Sequence, residues 1–274
     1  MRKVLALALV AVLGGALAGA LVLGERALTA PEPVAAREGV GGERAKERNP
    51  ALPGPPAAAF SVPRPRPLAA HEAGSLFAPL RRATLARATP DAQALVVARL
   101  ERHTPEGTEN IVLVLERAED AAGRLWVRVR LPVLPANTTG WVRRSALRGY
   151  GTVQTHLVVD RKRLTATLYR GGRPLFRAPV GVGSVRWPTP AGDFYIRNKL
   201  TRYESAFYGP LAFGTSARSA VLTDWPAGGF IGIHGTNEPG LLPGRVSHGC
   251  IRMRNTDIRR LGRLMPVGTP LTIR

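Results

Sequence analysis

The sequence predicts a mainly β protein with little helix, and three observations predict it. Short apolar runs recur beyond about residue 90, bounded by Gly-, Pro- or Asp-bearing turn chemistry. Some alternate apolar with polar residues, most clearly Leu125-Trp126-Val127-Arg128-Val129-Arg130-Leu131, as a half-buried strand does. Helical spacing is confined to one stretch near the C-terminus. A length of 274 residues suggests two domains more readily than one.

Residues 1–24 come first. Arg2 and Lys3 precede an uncharged run, Val4 to Leu23, and the next charges are Glu25 and Arg26. That is the pattern of an export signal with its positive residues kept inside. It is either a retained anchor or a signal cleaved near Ala16, Ala18 or Ala20; the run exceeds the usual signal core of ~7–15 residues, which favours the anchor. Either way the rest of the chain is expected outside the cytoplasm, in the cell envelope, with N-terminal membrane association and no nucleic-acid partner. From residue 25 to 70 the chain is Pro-, Ala-, Gly- and charge-rich, with nine prolines between Pro31 and Pro67. This reads as a disordered tether. The formal charge of +20 is nearly all arginine, scattered rather than interleaved with aromatics in one stripe, so it reads as solvated surface.

Residues 71–150 hold Ala94-Leu95-Val96-Val97-Ala98, Ile111-Val112-Leu113-Val114-Leu115, the alternating run at Leu125 and a strand at Gly140-Trp141-Val142. This segment resembles a small bacterial SH3-like β-barrel, which implies either a wall-binding role or a spacer. Asn137-Thr138-Thr139 fits a glycosylation acceptor but is a triplet frequent by chance.

Residues 152–274 read as a β-sandwich. His156 to Val159 is a strand; Leu164, Ala166 and Leu168 alternate with Thr165, Thr167 and Tyr169; Gly171-Gly172 turns into Pro174 to Val180, a hairpin. Trp187-Pro188-Thr189-Pro190-Ala191-Gly192 is a rigid turn before a strand from Asp193 to Arg197. Asn255 is placed to cap a short helix with Ile258, Leu261 and Leu264 on one face, halted by Pro266, and Leu271-Thr272-Ile273 is a last strand.

The chemistry-bearing residues lie in this second half. Cys250, the only cysteine, follows His248 and Gly249 and lies 16 positions after His234. In an exported chain it has no disulfide partner. An inert buried thiol is the plainer alternative, but His248 and Gly249 suit no dry apolar pocket. Phe230-Ile231-Gly232-Ile233 is a strand delivering His234, and the polar loop from Thr236 to Arg245 can fold back to bring Cys250 beside it. His234 would then be the general base and Cys250 the nucleophile. The Gly235 carbonyl would fix the imidazole tautomer. The N–H groups of His248, Gly249 and Cys250 would receive a developing oxyanion, and Arg252 would hold a substrate carboxylate.

His234-Gly235-Thr236 with Ser247-His248-Gly249-Cys250-Ile251-Arg252-Met253 resembles the signature of the L,D-transpeptidases, and the likeness runs from Thr155 to Arg274 through Pro188-Thr189-Pro190-Ala191-Gly192 and Tyr208-Gly209-Pro210. The resemblance implies a nucleophile at Cys250, a base at His234 and a supporting histidine at His248, with Gly235 and Gly249 in the catalytic turn and Arg252, Ser247, Tyr208 and Thr236 toward substrate. Many members carry asparagine where this chain has Arg252, which leaves the role of that arginine open. The implied reaction is acylation of the thiol by a peptidoglycan tetrapeptide stem, loss of D-alanine, and transfer to a neighbouring stem in a three-to-three cross-link. Carbapenems are the implied inhibitors. The same pair would equally serve an L,D-carboxypeptidase or endopeptidase that passes the acyl group to water, and a wall-binding module with a dead site is the third reading. Trp187 and Trp225 line the donor groove or belong to the core, His156 is a satisfied surface histidine, and no metal or cofactor is expected because no second paired ligand motif accompanies His234, His248 and Cys250.

Overall fold

The computed structural model describes residues 66–67, 74–203, 205–222 and 229–274. The expected signal or anchor, most of the tether and Trp225 lie outside the described residues. Among those described, no helix is long and apolar enough to cross a membrane. The strands form two sheets within one compact unit, Ala57–Arg274.

The N-terminal sheet contains β1 (Arg66–Pro67), β2 (Ser75–Pro79), β3 (Thr84–Arg87), β4 (Val96–Leu100), β5 (Ile111–Glu119), β6 (Leu125–Arg130), β7 (Thr139–Arg143) and β8 (Gly151–Val153), in the order β4-β3-β7-β6-β5-β2-β8 with β1 alongside β5. All its pairings are antiparallel. The period-two pattern is realised in β6 by the buried Val127 and Val129, while Trp126 packs in a separate cluster with Ala118 and Trp141, and the core gathers Leu80, Val112, Val114, Val127, Val129 and Val142. Within the stretch read as a tether, Arg66 and Pro67 pair with Arg117 and Glu116 of β5. β2 covers β5 only from Ile111 to Val114. β1 takes the stretch of that edge beyond β2, where a proline-bearing segment can be accommodated.

The C-terminal sheet contains β9 (Thr155–Asp160), β10 (Thr165–Arg170), β11 (Arg173–Pro179), β12 (Gly181–Gly183), β13 (Gly192–Leu200), β14 (Ala212–Arg218), β15 (Phe230–His234), β16 (Gly244–Ser247), β17 (Ile251–Arg252) and β18 (Pro270–Ile273). Their order is β11-β10-β9-β18-β13-β14-β15-β17-β12-β16, and β9 with β18, β15 with β17 and β12 with β16 are parallel. Both ends of this path contribute to one core: Leu157, Val159 and Leu168 from one, Phe213, Ile233 and Ile251 from the other.

The helix α1 (Asn255–Leu264) buries Ile258 and Leu261 on that core, and Leu264 packs at its margin. Asn255 does not cap it. Arg254 precedes the first turn without a side-chain cap bond, and Asn255 Oδ1 instead accepts the Thr236 N–H at 3.0 Å. Backbone N–H groups outside a helix compete for the same side-chain oxygen. Asn137, the acceptor-pattern residue, takes a left-handed conformation at φ 69° and accepts the Asp193 N–H across the two sheets at 2.6 Å.

Candidate active site

Strand pairing brings the predicted nucleophile and base together. β15 runs between β14, with Ala212 opposite His234, and the short β17, with Ile233 beside Ile251 and His234 beside Arg252. Because β15 and β17 are parallel, the chain between them must cross over. It leaves through the loop after Gly235, returns along β16 beside β12, and turns at His248-Gly249-Cys250. Cys250 then lies opposite Gly232, whose N–H donates to Sγ at 3.3 Å. A methyl group on Gly232 would stand 3.9 Å from both Cys250 Sγ and His234 Cδ2, so thiol and imidazole flank one glycine.

Both line a cavity of about 130 Å³ with Tyr208, Phe230, His248 and Arg252. His234 is 2% exposed. Its Nδ1 lies 2.6 Å from the Gly235 carbonyl; a carbonyl only accepts, so Nδ1 carries the proton and Nε2 is left basic. Burial pulls the imidazole down to about 4, the Gly235 bond works against that, and the Arg252 charge adds to it. Burial pushes the Cys250 thiol up, opposed by the Gly232 N–H and by Arg252. Both shifts favour uncharged forms, so the resting pair is neutral thiol beside neutral imidazole. Tyr208 meets the His234 ring edge-on at 4.8 Å, and Trp187 lies 4.1 Å from the exposed His248 ring.

Tight backbone approach makes this possible. A Cβ on Gly235 would collide with Asn255 Oδ1 and crowd Pro210 and Gly209, so the Tyr208-Gly209-Pro210 segment packs directly on the His234-Gly235 backbone. Gly249 sits at φ +117°, a conformation only glycine adopts easily.

The three groups expected toward substrate each have partners within the protein. Ser247 is buried but lines the cavity, its hydroxyl donating to the Cys250 carbonyl at 2.6 Å and accepting the Gly249 N–H at 3.1 Å; it staples the turn. That same bond occupies one of the three N–H groups expected to face an oxyanion. Thr236 is buried away from the cavity lining, its Oγ1 accepting the Glu238 N–H at 3.0 Å. Arg252 does reach the cavity but is already paired, Nη1 to Glu238 Oε2 at 3.0 Å, with its guanidinium 4.7 Å from the Phe207 ring.

Sequence reasoning missed Thr189 and Glu238. Thr189 Oγ1 donates to the Gly249 carbonyl at 2.7 Å and accepts the Gly183 N–H at 2.8 Å, tying the catalytic-turn glycine to β12. A buried threonine between two prolines was the available signal. Glu238 was hidden in a loop read only as polar. Among the described residues, no group of three or more His, Cys, Asp and Glu side chains is arranged to hold a metal ion.

Comparison with known proteins agrees with the motif. Residues 154–273 match the YkuD family model, the L,D-transpeptidase catalytic domain. The chain is similar to YkuD of Bacillus subtilis (strain 168), 34% identical over 122 residues covering 44% of this chain and 67% of the relative. It is also similar to YkuD of Bacillus licheniformis, 33% identical over 127 residues covering 46% and 70%. A solved structure, the Ldtfm–avibactam carbamoyl enzyme, matches at 26% identity and a TM-score of 0.36 over 44% of this chain and 49% of its own; this chain thus spans about half of that protein. The chain belongs to the L,D-transpeptidase catalytic-domain family.

Proposed function

We propose that this chain is a peptidoglycan L,D-transpeptidase of the cell envelope that forms three-to-three cross-links between stem peptides through an acyl-enzyme on Cys250. The observation that carries the reading is the thiol and imidazole flanking Gly232 in one cavity, with the imidazole tautomer set by Gly235. Attack of Sγ on the stem carbonyl between the third and fourth residues forms the C–S bond while the thiol proton passes to His234 Nε2. The proton then leaves on the D-alanine amine as the C–N bond breaks. The incoming side-chain amine reverses the sequence, forming a new C–N bond and returning the proton to sulfur. Because the resting pair is neutral, proton transfer accompanies attack rather than preceding it. The Cys250 N–H is the oxyanion donor in this reading.

His248 supports the turn through its Trp187 contact, and Tyr208 walls the donor side. Arg252, being paired with Glu238, sets the local charge around the thiol. The stretch 71–150 serves as an SH3-like module, and residues 1–24 deliver the chain outside the membrane. The test is incubation of purified full chain with a disaccharide tetrapeptide and product analysis by mass spectrometry. A cross-linked dimer with release of D-alanine is expected. D-alanine without dimer would instead make the enzyme a carboxypeptidase.

A further inference from the structure

Arg197 of β13 is a buried charge at the contact between the two sheets, 2% exposed. Its carboxylate partner comes from the loop between β4 and β5 of the N-terminal sheet: Nη2 reaches Glu106 Oε1 at 3.2 Å and Oε2 at 3.4 Å. The neighbouring Asn198 gathers the same loop, its Nδ2 donating to Glu106 Oε2 at 3.1 Å and to Thr108 Oγ1 at 3.1 Å, while its Oδ1 accepts the Gly214 N–H of β14 at 2.9 Å. On its other side the Arg197 guanidinium lies 3.7 Å from the centre of the Phe230 ring, with Arg218 at 4.9 Å. Phe230 lines the cavity holding Cys250 and opens the strand that ends in His234.

Two guanidiniums on one ring repel each other, and a buried cation without a counter-ion costs several kcal/mol. Glu106 offsets both. Without it, Arg197 would withdraw toward water and the ring would lose its stacking partner.

We propose that Glu106 and Arg197 form a positioning pair through which the N-terminal sheet holds Phe230, and with it the wall of the Cys250 cavity. The effect on turnover rests on the transpeptidase reading; the effect on the thiol does not. Phe230 touches no reacting atom in that reading, so the pair acts on donor binding. In the full chain, Glu106→Gln is expected to lower kcat/KM for the tetrapeptide about tenfold, mostly through KM, and Glu106→Asp to recover part of it. Alkylation of Cys250 by iodoacetamide, unambiguous with a single cysteine, should accelerate about threefold as the wall loosens. The double variant Glu106→Ala with Arg197→Met removes the orphan charge and should recover the thermal midpoint without recovering either rate. Recovery of both rates along with the midpoint would reduce the pair to a fold-stabilising contact and overturn the proposal. So would a Glu106→Gln protein with unchanged alkylation and KM. If the parent turns over no stem peptide, the transpeptidase reading fails, and the alkylation rates still decide whether the pair positions Phe230.

Discussion

The two sheets solve the same packing problem with different topologies, and the C-terminal one carries most of the buried polarity. In the N-terminal sheet every pairing among the described residues is antiparallel, and the buried polar residues described there are Thr104 and Asn110, both in the loop between β4 and β5. The C-terminal sheet has three parallel pairs and buries Thr189, Arg197, Asn198, Thr215, Ser216, His234, Thr236, Ser247 and Arg252. Parallel neighbours require crossover loops, and a crossover that dives into the sheet carries backbone groups that need partners. The threonine, serine and asparagine bonds around Gly249 and Gly235 supply them. The candidate reactive pair lies in the second sheet, where its surroundings are fixed by hydrogen bonds as well as by packing.

If that contrast is right, substitutions in the two sheets should separate activity from stability. Cys250→Ala is expected to remove turnover by at least about 10⁴-fold at nearly unchanged stability, read by product mass spectrometry. His234→Ala should cost about 10²–10⁴-fold, read as the rate of acylation by a carbapenem. Leu80→Ala, a fully buried core residue of the N-terminal sheet, should cost about 2–5 kcal/mol in denaturant unfolding while turnover per folded molecule is kept. A comparable loss of turnover per folded molecule would erase the distinction between the sheets.

A pH experiment sharpens it further. His234 titrates near 4 when folded and at 6.5 in a free chain. Between those values the unfolded state takes up the proton and the folded state does not, so stability declines as pH falls from 6.5 toward 4 and levels below. The shift corresponds to about 3 kcal/mol. His234→Gln should flatten that part of the profile, measured as the difference in unfolding free energy between pH 7 and pH 4. The smallest expected effect is Asn255→Ala, which strands the Thr236 N–H and should cost about 1–3 kcal/mol of thermal stability.

Much of this was legible along the chain. Alternation located β6 and the hairpin of β10 and β11, and the single cysteine with its histidines and glycines pointed to the candidate site. What escaped notice has one physical character: it joins residues far apart in sequence through side chains common anywhere on a surface. Glu106 with Arg197, Thr189 with Gly249 and Asn255 with Thr236 are separated by 91, 60 and 19 positions. Asn255 misled because an asparagine ahead of an apolar helix face has a good local use, and a stronger demand came from a loop the sequence does not place beside it.

By itself the sequence determined the strand-rich class, the turn glycines and the identity of the thiol and imidazole, since each follows from periodicity or from residue types that few environments tolerate. Tertiary structure alone decided that both groups rest uncharged, that the Ser247 and Thr236 hydroxyls bond backbone, and that a carboxylate from the β4–β5 loop pairs with the arginine stacked on Phe230. Those outcomes depend on burial and on which polar atom reaches a partner first, and neither quantity exists until the sheets have closed.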